Sequence, residues 1–423
     1  MNVRHDDPGW AARTASALRY GALVAAAGVL AGLGAAGLTW VLHTVEDFVY
    51  GKGEEHGQVL TDGVPVWRGS VGVAAVAIAL AVAWWLLRGR AAPLVGVKGM
   101  AKGKRPPLWP TIANAILQMV GVGAGLPVGR EVAPRELGAL AGSRLTERAG
   151  LDEDDRRVLI AAAAGAGLAA VYQVPLGGAV FAMELMIGRI SMRIAATCLG
   201  ASSIAVLVSR IYITPVNQYA AAMPDGADWT ILAWALVAGA VLGPFGGWFG
   251  DLADHVKSHS QRGNLTLITL PLAGLGVAVL AWFDPLVLGN GRGAAQAGFL
   301  GLGLAAATLT LVGKCLATFL TLRAGAVGGT LAPAIAAGSC AGIVVGRLAE
   351  LVLPGVDVPV TALALFGAAA VLGTSLRGPA TGMLLMAGLT DQTHDVYAAL
   401  ALAVAASYAT ASLRPGLPGI KRG

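Results

Sequence analysis

The sequence predicts an all-α, polytopic membrane protein, and three observations support that fold class. The 423 residues are 56% hydrophobic and only 13% charged, and their mean hydropathy is +0.69. Soluble domains carry roughly a quarter charged residues. Several apolar runs are long enough to cross a bilayer, and two short motifs recur in the same order in each half of the chain. A bundle of membrane helices built from two related halves follows.

Five apolar runs approach the roughly 20 residues that a helix needs to cross a bilayer. They are residues 20–41, 69–87, 230–249, 265–282 and 299–322. The chain also holds 60 glycines, and small residues let membrane helices approach closely where lipid offers no hydrophobic drive for association. Dense helix packing is therefore expected.

The net charge of +6 does not indicate a nucleic-acid partner, because the basic residues lie in short segments between apolar runs. Four of them are Lys98, Lys102, Lys104 and Arg105. Such residues mark cytoplasmic loops, so we expect a multi-pass protein of the cell (plasma) membrane with both termini cytoplasmic. Residues 1–19 and 414–423 are expected as tails around one transmembrane domain, 20–413, without a cytosolic regulatory domain.

The sequence gives no sign of a cofactor, a metal site or a catalytic group. Cys198, Cys315 and Cys340 each lie inside an apolar run, so neither a disulfide framework nor a CxxC site is predicted. His255 and His259 stand four residues apart but lack the glutamate of an HExxH motif. We expect no cofactor and no metal.

Two motifs mark the related halves. GREVAP at residues 129–134 returns as GGTLAP at 328–333, 199 positions later. AAVYQVPLGG and AAVLGTSLRGPATG also match, and their prolines, Pro175 and Pro379, stand 204 positions apart. Two matches at nearly one offset predict a duplicated unit, with repeat one at residues 20–212 and repeat two at 225–413.

Other apolar segments are too short to span a bilayer, and Gly or Pro stands at their starts. They are residues 111–120, 137–145, 174–187 and Pro379–Leu389. Irregular backbone at membrane depth survives only where it is buried in protein or lines a water-filled cavity. Short, broken helices in corresponding positions of two halves point to a transport site.

GREVAP places Arg130 and Glu131 inside an apolar stretch. A charge at the bilayer centre costs on the order of 3 kcal/mol, so an intramembrane carboxylate suggests function. Pro134 suits the first turn of a helix, which puts Glu131 at or near a helix N-terminus, a natural anion site. The carboxylate would compete with a free halide for this place, and protonation would remove the competitor.

GGTLAP predicts a second helix N-terminus, contributed by the other half and approachable because Gly328 and Gly329 lack side chains. Two convergent helix ends would form an anion pore. The alternative is that Arg130 and Glu131 form a structural ion pair and that GGTLAP is a packing motif.

At these residues the sequence resembles the CLC family of chloride channels and chloride/proton antiporters. GREVAP is similar to the family's G-R-E-G-P, and GGTLAP is similar to its G-x-F-x-P. Residues 159–185 resemble the alanine-rich helix pair that follows the first motif, and RGPATG with GLTD adds a late match. The resemblance covers nearly the whole chain in the family's order.

The resemblance implies two inverted-topology helical repeats, a homodimer with one pore in each subunit, and Glu131 as the gating glutamate. It also implies anion-binding positions in three segments. They are Gly129, Arg130, Val132 and Ala133; Gly328, Gly329, Thr330, Leu331 and Ala332; and Ala92, which replaces the family's serine in AAPLV.

Three further positions depart from the family's pattern. Leu331 replaces the phenylalanine of the second motif, and Leu185, beside Glu184, replaces the inner proton-handling glutamate. The tyrosine near the chain end is missing, with Gly419 or Ile420 in its neighbourhood. Losing both hydroxyl donors predicts weak or altered halide selectivity, because a dehydrated anion needs donors that replace its water. Losing the inner carboxylate predicts uncoupled conduction or a proton route through water.

We therefore expect transmembrane transport of a chloride-like anion, with Glu131 as a pH-sensitive gate. The expected partners are a halide or similar small anion, protons in an exchanger, the lipid bilayer and a second copy of the chain. Fluoride export is less favoured, because fluoride-specific relatives carry an acidic residue where Thr330 and Leu331 stand here.

Three alternatives remain. One is a proton-coupled antiporter with altered selectivity, and another is a transport-inactive CLC-like sensor or assembly protein. The third is an intramembrane hydrolase, for which no histidine or aspartate stands at a convincing spacing from a nucleophile. That nucleophile would be Ser202, Ser203 or Ser375.

Overall fold

Apolar segments separated by glycine, proline and charged residues form helices along most of the chain. A computed structural model describes residues 10–51, 61–90, 93–214, 218–221 and 228–414. Within these ranges there are sixteen α-helices and no β-strand, which confirms the predicted fold class. The helices are α1 (Trp10–Tyr50), α2 (Val66–Arg90), α3 (Val97–Ala101), α4 (Leu108–Gly123), α5 (Val132–Glu147), α6 (Glu153–Tyr172), α7 (Pro175–Phe181), α8 (Met192–Ser209), α9 (Trp229–Ser258), α10 (Thr266–Phe283), α11 (Arg292–Phe299), α12 (Leu304–Arg323), α13 (Leu331–Val352), α14 (Val360–Leu376), α15 (Pro379–Leu389) and α16 (His394–Ala411).

Seven helices of the described ranges are long and apolar enough to cross a membrane, by length and composition. The five predicted runs fall in α1, α2, α9, α10 and α12, whereas α8 and α13 complete the seven without having been predicted as spans. The last predicted run is interrupted, because Phe299 ends α11 and α12 begins at Leu304.

The first helix extends the helical part beyond the N-terminal limit of the expected domain. Helix α1 begins at Trp10, inside the stretch expected as an N-terminal tail. Of the two expected tails, residues 1–9 and 415–423 lie outside the described residues. Within the described part, Arg414 bonds to the buried Asp251 of α9, with 2.7 Å between Arg414 Nη2 and Asp251 Oδ2.

The two halves repeat an unusual local structure. Gln173 is the C-cap residue of α6 and Arg377 is the C-cap residue of α14, and both have left-handed backbone, with φ of 58° and 56°. Each is followed two residues later by a proline that begins the next helix, Pro175 in α7 and Pro379 in α15. The offset of 204 residues found in the sequence is thus an offset between matching turns.

Small residues set the packing distance in the core. Helices α6 and α14 are buried along most of their lengths, and α13 packs directly on α14. A Cβ atom at Gly342 would lie 2.1 Å from the Leu363 carbonyl oxygen, and one at Gly338 would lie 2.5 Å from the Gly367 carbonyl oxygen. Glycine at these positions permits backbone contact between the helices, as small residues do in membrane bundles.

Candidate functional site

Glu131 lies between two helix N-termini, one from each half. It is the N-cap residue of α5 and is 1% exposed. Its Oε1 accepts a hydrogen bond from the Leu331 N–H at 2.8 Å, and Leu331 is the first residue of α13. The carboxylate therefore binds the N-terminus of the opposite half's helix, where free N–H groups and the helix dipole favour an anion.

Two glycines make room for this carboxylate. A Cβ atom at Gly329 would lie 1.6 Å from Glu131 Oε1, and a Cβ atom at Gly129 would lie 2.1 Å from Oε2. The same glycines pair through their backbones, with N···O distances of 2.8 and 2.9 Å in the two directions. Any side chain at either position would displace the carboxylate, so both motifs need glycine here.

Arg130, Arg135 and Tyr172 surround the glutamate. The Tyr172 hydroxyl is 3.5 Å from Glu131 Oε2, and Arg135 Nε donates to the Glu131 carbonyl oxygen at 2.9 Å. Buried Arg130 donates from Nη2 to Gln218 Oε1 at 2.9 Å, and its guanidinium carbon lies 5.4 Å from the centre of the Tyr172 ring. Arg130 thus joins the first motif to Gln218, which lies in the link between the two halves.

The remaining predicted positions of the two motifs lie at the same meeting point. Val132 and Ala133 form the first turn of α5, and Ala332 follows Leu331 in α13. Thr330 is the N-cap residue of α13, and its Oγ1 accepts a hydrogen bond from Lys257 Nζ at 3.0 Å. Three positions lie outside the described residues. They are Ala92, Gly419 and Ile420.

Glu184 and Leu185 both contact the start of helix α15. Glu184 accepts hydrogen bonds from the Ala380 and Thr381 N–H groups at 3.1 and 2.7 Å and from Thr381 Oγ1 at 2.6 Å. These groups form the first turn of α15, so Glu184 caps a helix of the other half. Leu185 packs beside Gly378, where a Cβ atom would lie 2.8 Å from Leu185 Cδ2.

A cavity of about 700 Å³ reaches the second motif from one face of the bundle. Gly328, Lys257 and Glu136 are among its lining residues. Glu136 Oε2 accepts hydrogen bonds from Asn114 Nδ2 at 2.9 Å and Gln118 Nε2 at 3.0 Å, both on α4. The sequence analysis missed Lys257 and Glu136, although an ionisable residue in an apolar helix is itself a signal of function.

Lys314 is a second lysine that the sequence analysis missed. It lies in the middle of α12 and is 1% exposed. Its Nζ donates to the carbonyl oxygens of Val287, Leu288 and Gly289 at 2.8, 3.3 and 2.6 Å. These three bonds use all the donors of an ammonium group, so Lys314 fastens the segment between α10 and α11.

Comparison with known proteins gives the chain a clear set of relatives. The sequence model of a family described as voltage gated chloride channel matches residues 78–412. The H(+)/Cl(-) exchange transporter ClcA of Vibrio cholerae is 29% identical over 318 residues, which are 70% of this chain and 66% of that protein. The ClcA protein of Vibrio vulnificus is 28% identical over 392 residues, 88% of this chain and 82% of that protein. The aligned part is thus just under two thirds of the Vibrio cholerae protein.

Solved structures have the same fold. A slow cyanobacterial Cl-/H+ antiporter matches with a TM-score of 0.78 at 21% identity, covering 93% of this chain and 94% of that chain. A CLC-type fluoride/proton antiporter matches with a TM-score of 0.72 at 21% identity, covering 96% and 98%. A eukaryotic CLC transporter matches with a TM-score of 0.74 at 17% identity, covering 95% and 73%.

Proposed function

The chain belongs to the voltage-gated chloride channel family, and on that premise we propose that it transports a small chloride-like anion with Glu131 as a pH-sensitive gate. One observation carries the proposal: the Glu131 carboxylate accepts the Leu331 N–H at 2.8 Å between the two motifs. A dissolved anion needs the same donor. A charged carboxylate holds such a donor more strongly than a neutral carboxyl group does, so acidification favours the rival anion.

Proton-coupled exchange is the second candidate function. The curated relatives are described as exchangers of protons and chloride, and Glu136 offers a carboxylate at the cavity that approaches the gate. Passive conduction instead follows if no proton accompanies the anion. The homodimer and the cytoplasmic position of both termini belong to the same proposal, and cross-linking and labelling of cysteines placed near either terminus test them.

The experiment is anion efflux from proteoliposomes loaded with chloride, fluoride or nitrate, recorded together with external pH. We expect efflux to rise on acidification in the parental protein. Glu131→Gln mimics the protonated carboxyl group and should give a high rate that no longer responds to pH. Glu184→Gln is the matched control, because it makes the same change at a helix cap outside the gate and should keep the pH response.

Each outcome separates the candidates. Proton movement against its gradient, driven by chloride, establishes exchange, whereas anion flux without proton movement establishes conduction. If flux through Glu131→Gln still responds to pH, Glu131 is not the pH-sensitive gate. No flux of any anion from folded protein favours the transport-inactive relative.

A further inference from the structure

Lys257 lies near the end of a candidate membrane-spanning helix, and the direction of its side chain is unusual. It is the penultimate residue of α9, where a lysine would ordinarily extend its ammonium group toward water. The neighbouring Ser258 and His259 are exposed. Lys257 instead directs Nζ to Thr330 Oγ1 at 3.0 Å, one residue before the N–H that binds Glu131.

Among the residues that the structure describes, no carboxylate lies within ion-pair distance of this ammonium group. Glu131 and Asp254 act on it electrostatically from farther away. Glu136, which lines the same cavity, takes its hydrogen bonds from the amides of Asn114 and Gln118. A charged residue of a membrane helix that faces a cavity marks a substrate or ion pathway, and Lys257 lines this one.

Lys257, which lines the cavity, and Thr330, which it contacts, together leave several hydrogen-bond donors unused. An ammonium group has three N–H donors, and one of them is used on Thr330. Thr330 accepts that bond through its oxygen, so its own O–H remains a donor. A partly dehydrated anion needs such a set of donors to replace its water.

We propose that the Lys257 ammonium and the Thr330 hydroxyl form a binding site for a small monovalent anion at the inner end of this cavity. The proposal rests on anion passage at Glu131 and adds a residue that holds the anion before it reaches the Leu331 N–H. The positive charge raises the local anion concentration, and the hydroxyl directs the anion toward the start of α13.

The test measures chloride binding to the purified full-length protein by calorimetric titration at constant ionic strength. We expect Lys257→Met to weaken chloride binding roughly tenfold or more, the typical effect of one charge-assisted hydrogen bond. Lys257→Arg should retain most of the affinity, and Thr330→Val should show a smaller loss. Arg262→Gln removes one charge from the same cavity and should change affinity less than twofold at high salt, where exposed charges are screened.

Binding is measured without flux, so this proposal and the gate are tested separately. Unchanged chloride affinity in folded Lys257→Met overturns the site even if Glu131→Gln abolishes the pH response. Equal losses of chloride affinity in Lys257→Met and Arg262→Gln also overturn it, because they would indicate a general electrostatic effect of positive charge in the cavity. If flux through Glu131→Gln still responds to pH while Lys257→Met loses chloride affinity, the binding site is supported and the gating role of Glu131 is contradicted.

A separate cavity, of about 960 Å³, lies where α1, the end of α5 and the start of α6 meet. It is lined by five arginines and one carboxylate, that of Glu147. The arginines are Arg19, Arg105, Arg144, Arg148 and Arg156. Glu147 bonds to Arg105 at 3.1 Å and to Arg144 at 3.2 Å, so the positive charge remains in large excess.

Hydrogen bonds hold the arginines together at this cavity. Arg144 donates to Glu147 and to the Pro106 carbonyl oxygen, and Arg19 donates to the Ala149 carbonyl oxygen. Arg156 reaches Gly103, where a Cβ atom would lie 2.6 Å from Arg156 Nη2. Guanidinium groups bind phosphate oxygens in a bidentate manner, which makes a phosphate group the matching ligand.

The wall of this cavity is apolar along α1. Leu23 and Leu30 line it together with Arg19, and the spacings of 4 and 11 residues place all three on one helix face. Eleven residues of helix extend about 17 Å. We infer that the cavity binds the phosphate group of an anionic phospholipid, with an acyl chain along Leu23 and Leu30.

The test compares purified protein with two paired variants. Native mass spectrometry of protein purified from mixtures of phosphatidylcholine and phosphatidylglycerol reports the bound lipid, and titration with inorganic phosphate reports the free anion. We expect Arg148→Gln with Arg156→Gln to reduce retained phosphatidylglycerol by roughly tenfold. Lys98→Gln with Lys102→Gln removes equal charge outside the cavity and should have little effect.

The arms distinguish the source of the phosphate. Loss of phosphatidylglycerol only in the arginine variant supports a lipid site. If the protein binds inorganic phosphate but retains no phosphatidylglycerol, the arginines form a phosphate site whose ligand is the free anion and not a lipid. Equal lipid retention in both variants, or no binding of either ligand, overturns the inference.

Discussion

Gly329→Ala tests where the Glu131 carboxylate lies. The added methyl group would stand 1.6 Å from Oε1 and 2.1 Å from the carboxylate carbon, so the two groups cannot coexist. Gly329 does not have left-handed backbone, and alanine can adopt its conformation. The carboxylate must therefore leave the Leu331 N–H and lose a charge-assisted hydrogen bond of about 1.5–3 kcal/mol. That loss corresponds to a roughly 10- to 150-fold lower occupancy of the gate position, since 1.4 kcal/mol is a factor of ten.

The measurement is the ratio of chloride efflux at mildly acidic and neutral pH, in proteoliposomes. We expect a ratio well above one for the parental protein and a ratio near one for Gly329→Ala, because no carboxylate remains at the N–H to be released. Gly328→Ala is the control, since its methyl group would meet Val128 at 2.5 Å and not the carboxylate. A folded Gly329→Ala protein with the parental ratio would refute the assigned position of the gate.

Three further substitutions have structural consequences. Lys314→Met leaves three buried carbonyl groups without their donor and should lower the free energy of unfolding by about 3 kcal/mol, measured by thermal unfolding in detergent; an unchanged melting temperature would contradict it. Glu184→Ala removes the cap of α15 and should cost about 1–2 kcal/mol, while the pH response of flux stays; its loss would indicate a proton-handling role. Asp251→Asn weakens the contacts to Arg377 and Arg414, so chymotrypsin should cleave after the exposed Leu413 faster than in the parental protein; an equal cleavage rate would show that this cluster does not hold the chain end.

The gate segment could be predicted because its signals are local. A glutamate in an apolar stretch, a proline in the next turn and a pair of glycines each have a physical meaning that needs no tertiary structure. The sequence therefore placed Glu131 at a helix start and indicated a second start at Gly328 and Gly329. The partner of the carboxylate depends on the contact between two halves about 200 residues apart, which local signals do not determine.

The ionisable residues of the cavity were missed for a related reason. Lys257 and Glu136 stand near helix ends or beside other charged residues, where membrane proteins ordinarily carry charge. What distinguishes them is that both side chains point into one cavity. Where these side chains point depends on how α5 and α9 are rotated about their axes against the neighbouring helices. Lys314 could have been noticed, because it interrupts a long apolar run, but its three carbonyl partners lie on a distant segment.

The proposed gate can open without separating the two halves. Gly129 and Gly329 join the two motifs by backbone hydrogen bonds, which the Glu131 side chain does not make. Removing the carboxylate breaks one charge-assisted bond and leaves this pairing in place. Under the proposed function, an incoming anion takes the place of the carboxylate at the Leu331 N–H. Protonation of Glu131 then favours the anion, because a neutral carboxyl group holds that donor less strongly than a carboxylate does.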